Sequence, residues 1–308
     1  MTRVTNGVDG RDRGTAKDLG AEKATWFRGE KWLVIAGLLG FVFAIVSGIA
    51  ALVYGTDAKP GSGLLRAASF NAALAIFFLS TAAILPFSGM GKKGRIFFRW
   101  SYIALAPFSY YTETTQHWRG VDPRFPEDPS TYDSVIGSFF GLTALLLAAY
   151  YLVLAIQFLL PRAYQQNPEL VVSIRYAMIA VMFSFAGGFF ITFNEGRFIG
   201  ADGNLIWLHG LGFHSIQVLP IIAWLTLQSN LSKRFKHSMI HISGIAFIGG
   251  IAAIGWQTLL GKSLMEWTVL PLTAIACFLV VTAAGVRLLL DVWLQRNTNK
   301  SKVEERHL

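Results

Sequence analysis

The chain has 308 residues, of which 53% are hydrophobic and only 15% are charged. Its mean hydropathy of +0.47 and its apolar runs of about twenty residues exclude an ordinary soluble domain and are typical of helices that cross a bilayer. The runs lack the strict alternation of outer-membrane strands, so the sequence predicts an all-α, polytopic transmembrane helical bundle. A single cysteine, Cys277, excludes a disulfide framework.

The first 30 residues are polar, mixed in charge and without apolar periodicity, which predicts a disordered cytoplasmic tail. Residues 31–294 are predicted to form the bundle, and 295–308 a second cytoplasmic tail. The third apolar segment is the least apolar, because Arg99 lies near its start and Glu113 near its end. About eight spans are expected, at 32–54, 64–87, 96–118, 135–160, 172–193, 205–227, 240–260 and 268–294.

The distribution of basic residues predicts the orientation of the bundle. With the N-terminus inside, 20 of the 27 Lys and Arg residues fall on the cytoplasmic side and six on the other. Such a bias is the positive-inside rule, and it predicts a multi-pass protein of the inner (cytoplasmic) membrane with both termini cytoplasmic. The net charge of +9 then needs no nucleic acid to explain it, and the lipid bilayer is the partner that it implies.

The chain also contains a candidate internal repeat, with halves at 31–160 and 172–294. Gln116 and Gly120 at the end of span three match Gln257 and Gly261 at the end of span seven in the pattern Gln-x-x-x-Gly. Identity between the halves is thin, so chance explains the match as well as duplication does. A real repeat predicts that the polar positions of both halves converge.

The segment 207–220 places His209, His214 and Gln217 inside an apolar span. Ionisable groups in such a position face a protein interior or water and mark candidate functional sites. Helical spacing puts the two histidines some 140° apart, which disfavours joint chelation of one small metal ion. Pro220 is predicted to kink the span below them.

A second group of polar residues lies at the ends of spans three and seven. Glu113, Gln116 and Arg119 share one stripe of span three, and Gln257 lies near the end of span seven. Because these ends and the start of span six reach the same membrane face, we expect an outward-facing polar pocket in the outer half of the bundle. Structural ion pairs and hydrogen bonds between helices are the alternative explanation for the same residues.

Two segments resemble a group of uncharacterised bacterial multi-pass membrane proteins. The shared motifs are His-x4-His-x2-Gln-x-Leu-Pro, which runs here from His209 to Pro220, and Glu-x-x-Gln-x-x-Arg-Gly, which begins at Glu113. The resemblance implies no activity. Where that group has Ser-His-Phe after Arg-Gly, this chain has Pro-Arg-Phe at 123–125, so the contribution of a loop histidine is missing or replaced.

Eight spans in two halves also look like the architecture of haem A synthases. Those enzymes use histidines from the second and fourth helices of each half, and spans two, four and eight of this chain contain none. The likeness is one of architecture alone, and the activity is not assigned.

Three functions are compatible with this pattern, and the sequence does not decide whether the protein is an enzyme. In the first, a small ligand or redox cofactor, haem or a quinone-like molecule, binds in the outer half of the bundle, with His214 as haem ligand or hydrogen-bonding partner beside His209. Glutamines would orient the ligand and Glu113 would accept a proton. The second is a proton-coupled secondary transporter, and the third is a non-catalytic subunit or assembly factor of a membrane complex.

Overall fold

The computed structural model describes residues 25–55 and 63–304, so most of the predicted N-terminal tail lies outside the described residues. The described part contains ten α-helices, one 3₁₀ turn and a two-stranded hairpin. The helices are α1 (Lys31–Tyr54), α2 (Leu64–Ile84, followed by the 3₁₀ turn Leu85–Phe87), α3 (Lys92–Arg119), α4 (Thr131–Leu159), α5 (Pro161–Gln166), α6 (Pro168–Phe193), α7 (Leu205–Phe213), α8 (Ser215–Gln228), α9 (Lys233–Leu259) and α10 (Val269–Glu304). The strands β1 (Phe198–Ile199) and β2 (Gly203–Asn204) pair antiparallel between α6 and α7.

Seven segments of the described chain are long and apolar enough to cross a membrane, with α7 and α8 counted as one continuous segment. The prediction of an all-α membrane bundle is therefore confirmed, and the chain is a multi-pass integral membrane protein. The predicted number of about eight spans is not reached by this criterion, because α3 is the long helix whose composition is too polar.

The last part of α3 carries polar side chains that are buried against other helices. The helix has 28 residues and a length of about 42 Å at 1.5 Å per residue, and it packs against α1, α2 and α4. Its last third presents a run of buried polar side chains to these neighbours, namely Ser109, Thr112, Glu113, Thr114, Gln116 and His117. The low hydropathy of α3 thus arises from these buried groups together with the basic residues of its first turns.

Aromatic side chains form the contact between the first four long helices and the rest of the bundle. Phe77 of α2 lies edge-on to Phe213 of α7 with ring centroids 5.0 Å apart, and it stacks on Tyr151 of α4 at 4.2 Å. Tyr151 in turn lies 5.9 Å from Phe185 of α6. Rings of this size bury large apolar areas, so this cluster is a major part of the packing between the halves.

Two of the four helix pairs that the candidate repeat would match begin at the same separation. Helices α2 and α7 begin at Leu64 and Leu205, and α3 and α9 begin at Lys92 and Lys233, so both pairs are 141 residues apart. The Gln-x-x-x-Gly correspondence has the same separation. We call the end of the bundle at which α3 and α9 finish the outer end, following the predicted orientation, and the opposite end the inner end.

Helices α3 and α9 also finish in the same way. Gly120 and Gly261 follow their last turns with φ of 83° and 71°, a left-handed conformation that glycine adopts without a Cβ clash. The amide after each glycine donates to the carbonyl of the matching glutamine, Val121 to Gln116 at 2.9 Å and Lys262 to Gln257 at 3.3 Å. Both ends are Schellman closures, which satisfy carbonyls that a helix terminus leaves unpaired.

Candidate functional site

The outer end of α3 holds a buried carboxylate and imidazole. Glu113 and His117 lie one turn apart, and neither side chain has measurable exposure beyond 1%. His117 Nε2 lies 3.2 Å from Glu113 Oε1, and Arg124 Nη2 donates to Glu113 Oε2 at 2.8 Å. A buried carboxylate needs such partners, because an isolated charge inside a low-dielectric bundle is strongly destabilising.

Arg124 reaches Glu113 from the loop between α3 and α4. Asp122 Oδ1 accepts the backbone N–H of Arg124 at 2.8 Å and that of Phe125 at 3.4 Å, which shapes the loop. The guanidinium lies over the rings of Phe70 and Phe140, 5.1 and 5.4 Å from their centroids. Cation–π contact and the ion pair together hold this loop against α2, α3 and α4.

Gln116 and Arg119 belong to a second, separate contact with the start of α4. Gln116 Nε2 donates to Asp133 Oδ1 at 3.0 Å, and Arg119 Nη1 donates to the same oxygen at 2.6 Å and also to the side-chain oxygen of Gln116. Asp133 and Ser130 form a capping box at the N-terminus of α4. The arrangement fastens the end of α3 to the beginning of α4, which is a structural role for both residues.

Several buried polar atoms in the described part of the chain have no hydrogen-bond partner, and three of them belong to Glu113 and His117. In the described part of the chain they include Glu113 Oε1 and both ring nitrogens of His117, whose approach to Glu113 has the distance of an ion pair without the alignment of a hydrogen bond. Asn71 Oδ1, Thr112 Oγ1 and Ser47 Oγ, from α2, α3 and α1, belong to the same set. Gly63 covers His117, and a Cβ at that glycine would lie 2.5 Å from Nδ1.

His209 is bonded to the neighbouring helix. Its Nδ1 lies 2.8 Å from the carbonyl oxygen of Ser184 on α6, and its ring lies edge-on to Phe213 with centroids 5.0 Å apart. A carbonyl only accepts, so Nδ1 carries the proton and Nε2 is the acceptor nitrogen. The contact joins α6 and α7.

His214 lies between α7 and α8, where the apolar segment Leu205–Gln228 is interrupted. Helix α7 ends at Phe213 and α8 begins at Ser215, whereas Pro220, the predicted kink, lies inside α8. The segment Leu205–Gln228 has 24 residues, and His214 is the tenth, about 14 Å below the outer end. Its side chain is exposed on the bundle surface at a depth where lipid hydrocarbon surrounds the protein.

The hydrogen bonds around His214 fix its tautomer. Ser80 Oγ donates its only proton to the carbonyl of Ile76 at 2.8 Å, so it accepts from Gln217 Nε2 at 2.6 Å. The amide oxygen of Gln217 therefore faces His214, 3.0 Å from Nδ1. Nδ1 must donate to it, so the neutral form of the exposed imidazole has its lone pair on Nε2.

Gln257 lies at the outer end of α9, where its Nε2 donates to the carbonyl of Ser263 at 2.9 Å. The sequence-predicted residues thus form separate hydrogen-bonded groups, one around Glu113, one around Asp133, one at His209, one at His214 and one at Gln257. Sequence analysis missed the contributions of Asp133 and Ser80. The Ser130-x-x-Asp133 spacing could have revealed the first as a capping box, but nothing local marks Ser80 as the partner of a glutamine 137 residues away.

In the described residues, no group of three or more His, Cys, Asp or Glu side chains has the arrangement of a metal site. No protein-family model, curated protein or solved structure matches the chain.

Proposed function

We propose that this integral membrane protein binds a small, planar, lipid-soluble molecule at His214. The observation that carries the proposal is the exposed Nε2 lone pair of His214 at mid-span, with the opposite nitrogen held by Gln217 and Ser80. A polar atom that faces hydrocarbon is costly unless a partner satisfies it. The partner must reach it from the lipid, because the imidazole lies on the bundle surface.

The tautomer narrows the chemistry of this ligand. Nε2 offers a lone pair and no proton, so it suits a hydroxyl donor or a metal ion, and it does not suit a quinone carbonyl, which also accepts. The two ligands that meet this requirement among those considered from the sequence are the hydroxyl-bearing quinol form of a quinone-like molecule and haem, whose iron a neutral imidazole binds. Gln217 would act as a positioning residue, because it holds Nδ1 protonated.

The test compares wild-type protein with His214→Leu and with His241→Leu as the matched control. His241 is another exposed histidine with a single hydrogen-bond partner, the hydroxyl of Tyr176 at 2.9 Å. After gentle detergent purification, an absorption spectrum before and after dithionite measures haem, and solvent extraction with chromatography measures quinol. We expect the bound ligand to be lost in His214→Leu and kept in His241→Leu. Equal content in the two variants would overturn the assignment.

Proton-coupled transport is the second candidate function, and the buried Glu113–His117 pair favours it. A buried carboxylate and imidazole 3.2 Å apart, whose facing atoms have no other hydrogen-bond partner, are suited to pass a proton between them. In proteoliposomes with an imposed pH gradient, Glu113→Gln should abolish proton uptake reported by an internal pH-sensitive dye, while Glu169→Gln should retain it. Uptake that is unchanged in Glu113→Gln would remove this function.

We further infer that α3 is an eighth span and that the protein lies in the inner membrane with both termini cytoplasmic. The length of α3, its neighbours on three sides and the inward direction of its polar groups support the eighth span. An even number of spans agrees with the basic residues collected at the inner end. The shared separation of 141 residues for the starts of α2 and α7 and of α3 and α9, together with the matching Schellman closures, supports a relationship between halves 31–160 and 172–294.

A further inference from the structure

A shallow, open groove between mostly exposed side chains of α3 alone lies near the inner end. It is lined by the side chains of Lys93, Ile96, Phe97, Trp100 and Ser101. Phe97 is 71% exposed and Trp100 48% exposed, and Trp32 of α1 lies 5.7 Å from Trp100 between ring centroids. Tryptophan is enriched at the depth where headgroups meet hydrocarbon, so the groove spans the boundary between the two.

Ile96, Phe97 and Trp100 form the apolar wall of the groove. Positive charge without an acidic partner lies beside this wall. Lys31, Lys92 and Lys93 are exposed, and none forms an ion pair within residues 25–55 and 63–304. Glu30, which precedes Lys31, is fully buried and pairs with two arginines instead. Its two oxygens accept from Arg99 at 2.6 and 2.9 Å, and Arg95 lies 3.2 Å away.

The second half provides the same charge without the two aromatic rings at the matching positions. At positions 141 residues later, Lys233 and Arg234 correspond to Lys92 and Lys93, whereas Ser238 and His241 correspond to Phe97 and Trp100. A groove that only retained positive charge on one membrane side would not need two exposed aromatic rings. The combination in the first half is therefore suited to a ligand with an anionic head and an apolar tail.

We propose that this groove binds one anionic phospholipid. Its phosphate would contact Lys92 and Lys93, and an acyl chain would lie along Phe97 and Trp100. Lysine near a membrane surface attracts anionic lipid with about 1 kcal/mol per residue, and its alkyl stem can lie along the apolar wall while the ammonium reaches the phosphate. The site is distinct from His214, and it does not depend on the proposed ligand there.

Native mass spectrometry of the detergent-purified full chain tests the proposal, with phosphatidylglycerol and phosphatidylcholine of identical acyl chains as probes. We expect the first phosphatidylglycerol to bind about tenfold more weakly to Lys92→Gln/Lys93→Gln than to wild type. The matched control Lys233→Gln/Arg234→Gln should bind like wild type. Phe97→Ser/Trp100→His, which introduces the residues of the second half, should lose the preference for one tightly bound lipid while keeping the surface charge.

Three results would overturn it. The control variant could lose as much phosphatidylglycerol as Lys92→Gln/Lys93→Gln, which would mean general attraction to positive charge. Phe97→Ser/Trp100→His could bind like wild type, or millimolar inorganic phosphate could displace the lipid completely, and either result would mean that the apolar wall contributes nothing. Thermal melting of each variant in the same detergent verifies that the substitutions leave the bundle folded.

Discussion

The outer ends of α3 and α9 share a backbone design and differ in chemistry. Both finish in a Schellman closure at a glycine, and both carry a buried glutamine that bonds the segment leading into the next helix, Gln116 to Asp133 and Gln257 to Ser263. One turn before each closure, however, α3 places Glu113 where α9 places Ile254. Ile254 is 3% exposed and needs no partner, whereas Glu113 needs the arginine of a loop.

This difference separates what supports the fold from what is specific to one half. The closure and the glutamine are present in both halves, so they serve the packing of the third helix of each half. The carboxylate and its imidazole neighbour occur at the outer end of α3, whereas α9 has Ile254 and Thr258 at the matching positions, and an apolar core would be easier to build there. A polar group that complicates packing in this way is a candidate for function.

The largest effect is expected from removing the partner of Glu113. Arg124→Ala should lower the free energy of unfolding by about 3 kcal/mol, because it leaves a buried carboxylate without its cation. Thermal and denaturant unfolding in detergent measure the change. Arg197→Ala is the control, since this exposed loop arginine of the second half contacts the ring of Phe198 and forms no ion pair within the described residues.

A second substitution distinguishes a charge effect from a packing effect at the same site. Adding Glu113→Gln to Arg124→Ala removes the stranded charge and should recover at least half of the lost stability. If Arg124→Ala alone unfolds like wild type, the ion pair makes no contribution to stability. Glu113 would then not need Arg124, and α3 and α9 would not differ in this requirement.

A smaller change in stability is expected from two glutamates at the inner end of the bundle, one buried and one partly exposed. Glu30 precedes α1 and is buried beside Arg95 and Arg99, while Glu169 at the start of α6 lies 3.4 Å from His237 with both side chains partly exposed. Glu30→Gln should cost about 2 kcal/mol, as expected for buried hydrogen bonds to charged groups. Glu169→Gln should cost less than about 1 kcal/mol, because solvent weakens that pair. Equal costs in unfolding experiments would contradict the burial-based ranking.

The smallest changes in the free energy of unfolding are expected at the Schellman closures of α3 and α9. Gly120→Ala should cost about 1 kcal/mol, because an L-residue is strained in the left-handed conformation. Gly261→Ala should cost more, since its β-carbon would also lie 3.0 Å from Cα of Gly200 in the hairpin between α6 and α7. Melting temperatures of the two variants under identical conditions test this order. A neutral Gly120→Ala would show that the closure of α3 is dispensable.

Much of the fold follows from local properties of the sequence. Apolar runs longer than a bilayer is thick predict membrane helices, because backbone groups in lipid must be paired within their own segment. The Gln-x-x-x-Gly match correctly indicated two equivalent positions, since the left-handed turn after a helix requires glycine in both halves. The polar end of the third segment, which made that segment the least apolar, is the part of α3 that the neighbouring helices bury.

The sequence by itself determined the membrane class and the approximate positions of the apolar helices, and it identified the polar residues that hydrocarbon would not tolerate without a reason. Only the tertiary structure decided their partners. Arg124 meets Glu113, Asp133 meets Gln116, and Ser80 fixes the tautomer of His214 through Gln217. Helical periodicity acts over a few residues, whereas these contacts depend on which faces of distant helices meet, and that is set by the packing of the whole bundle.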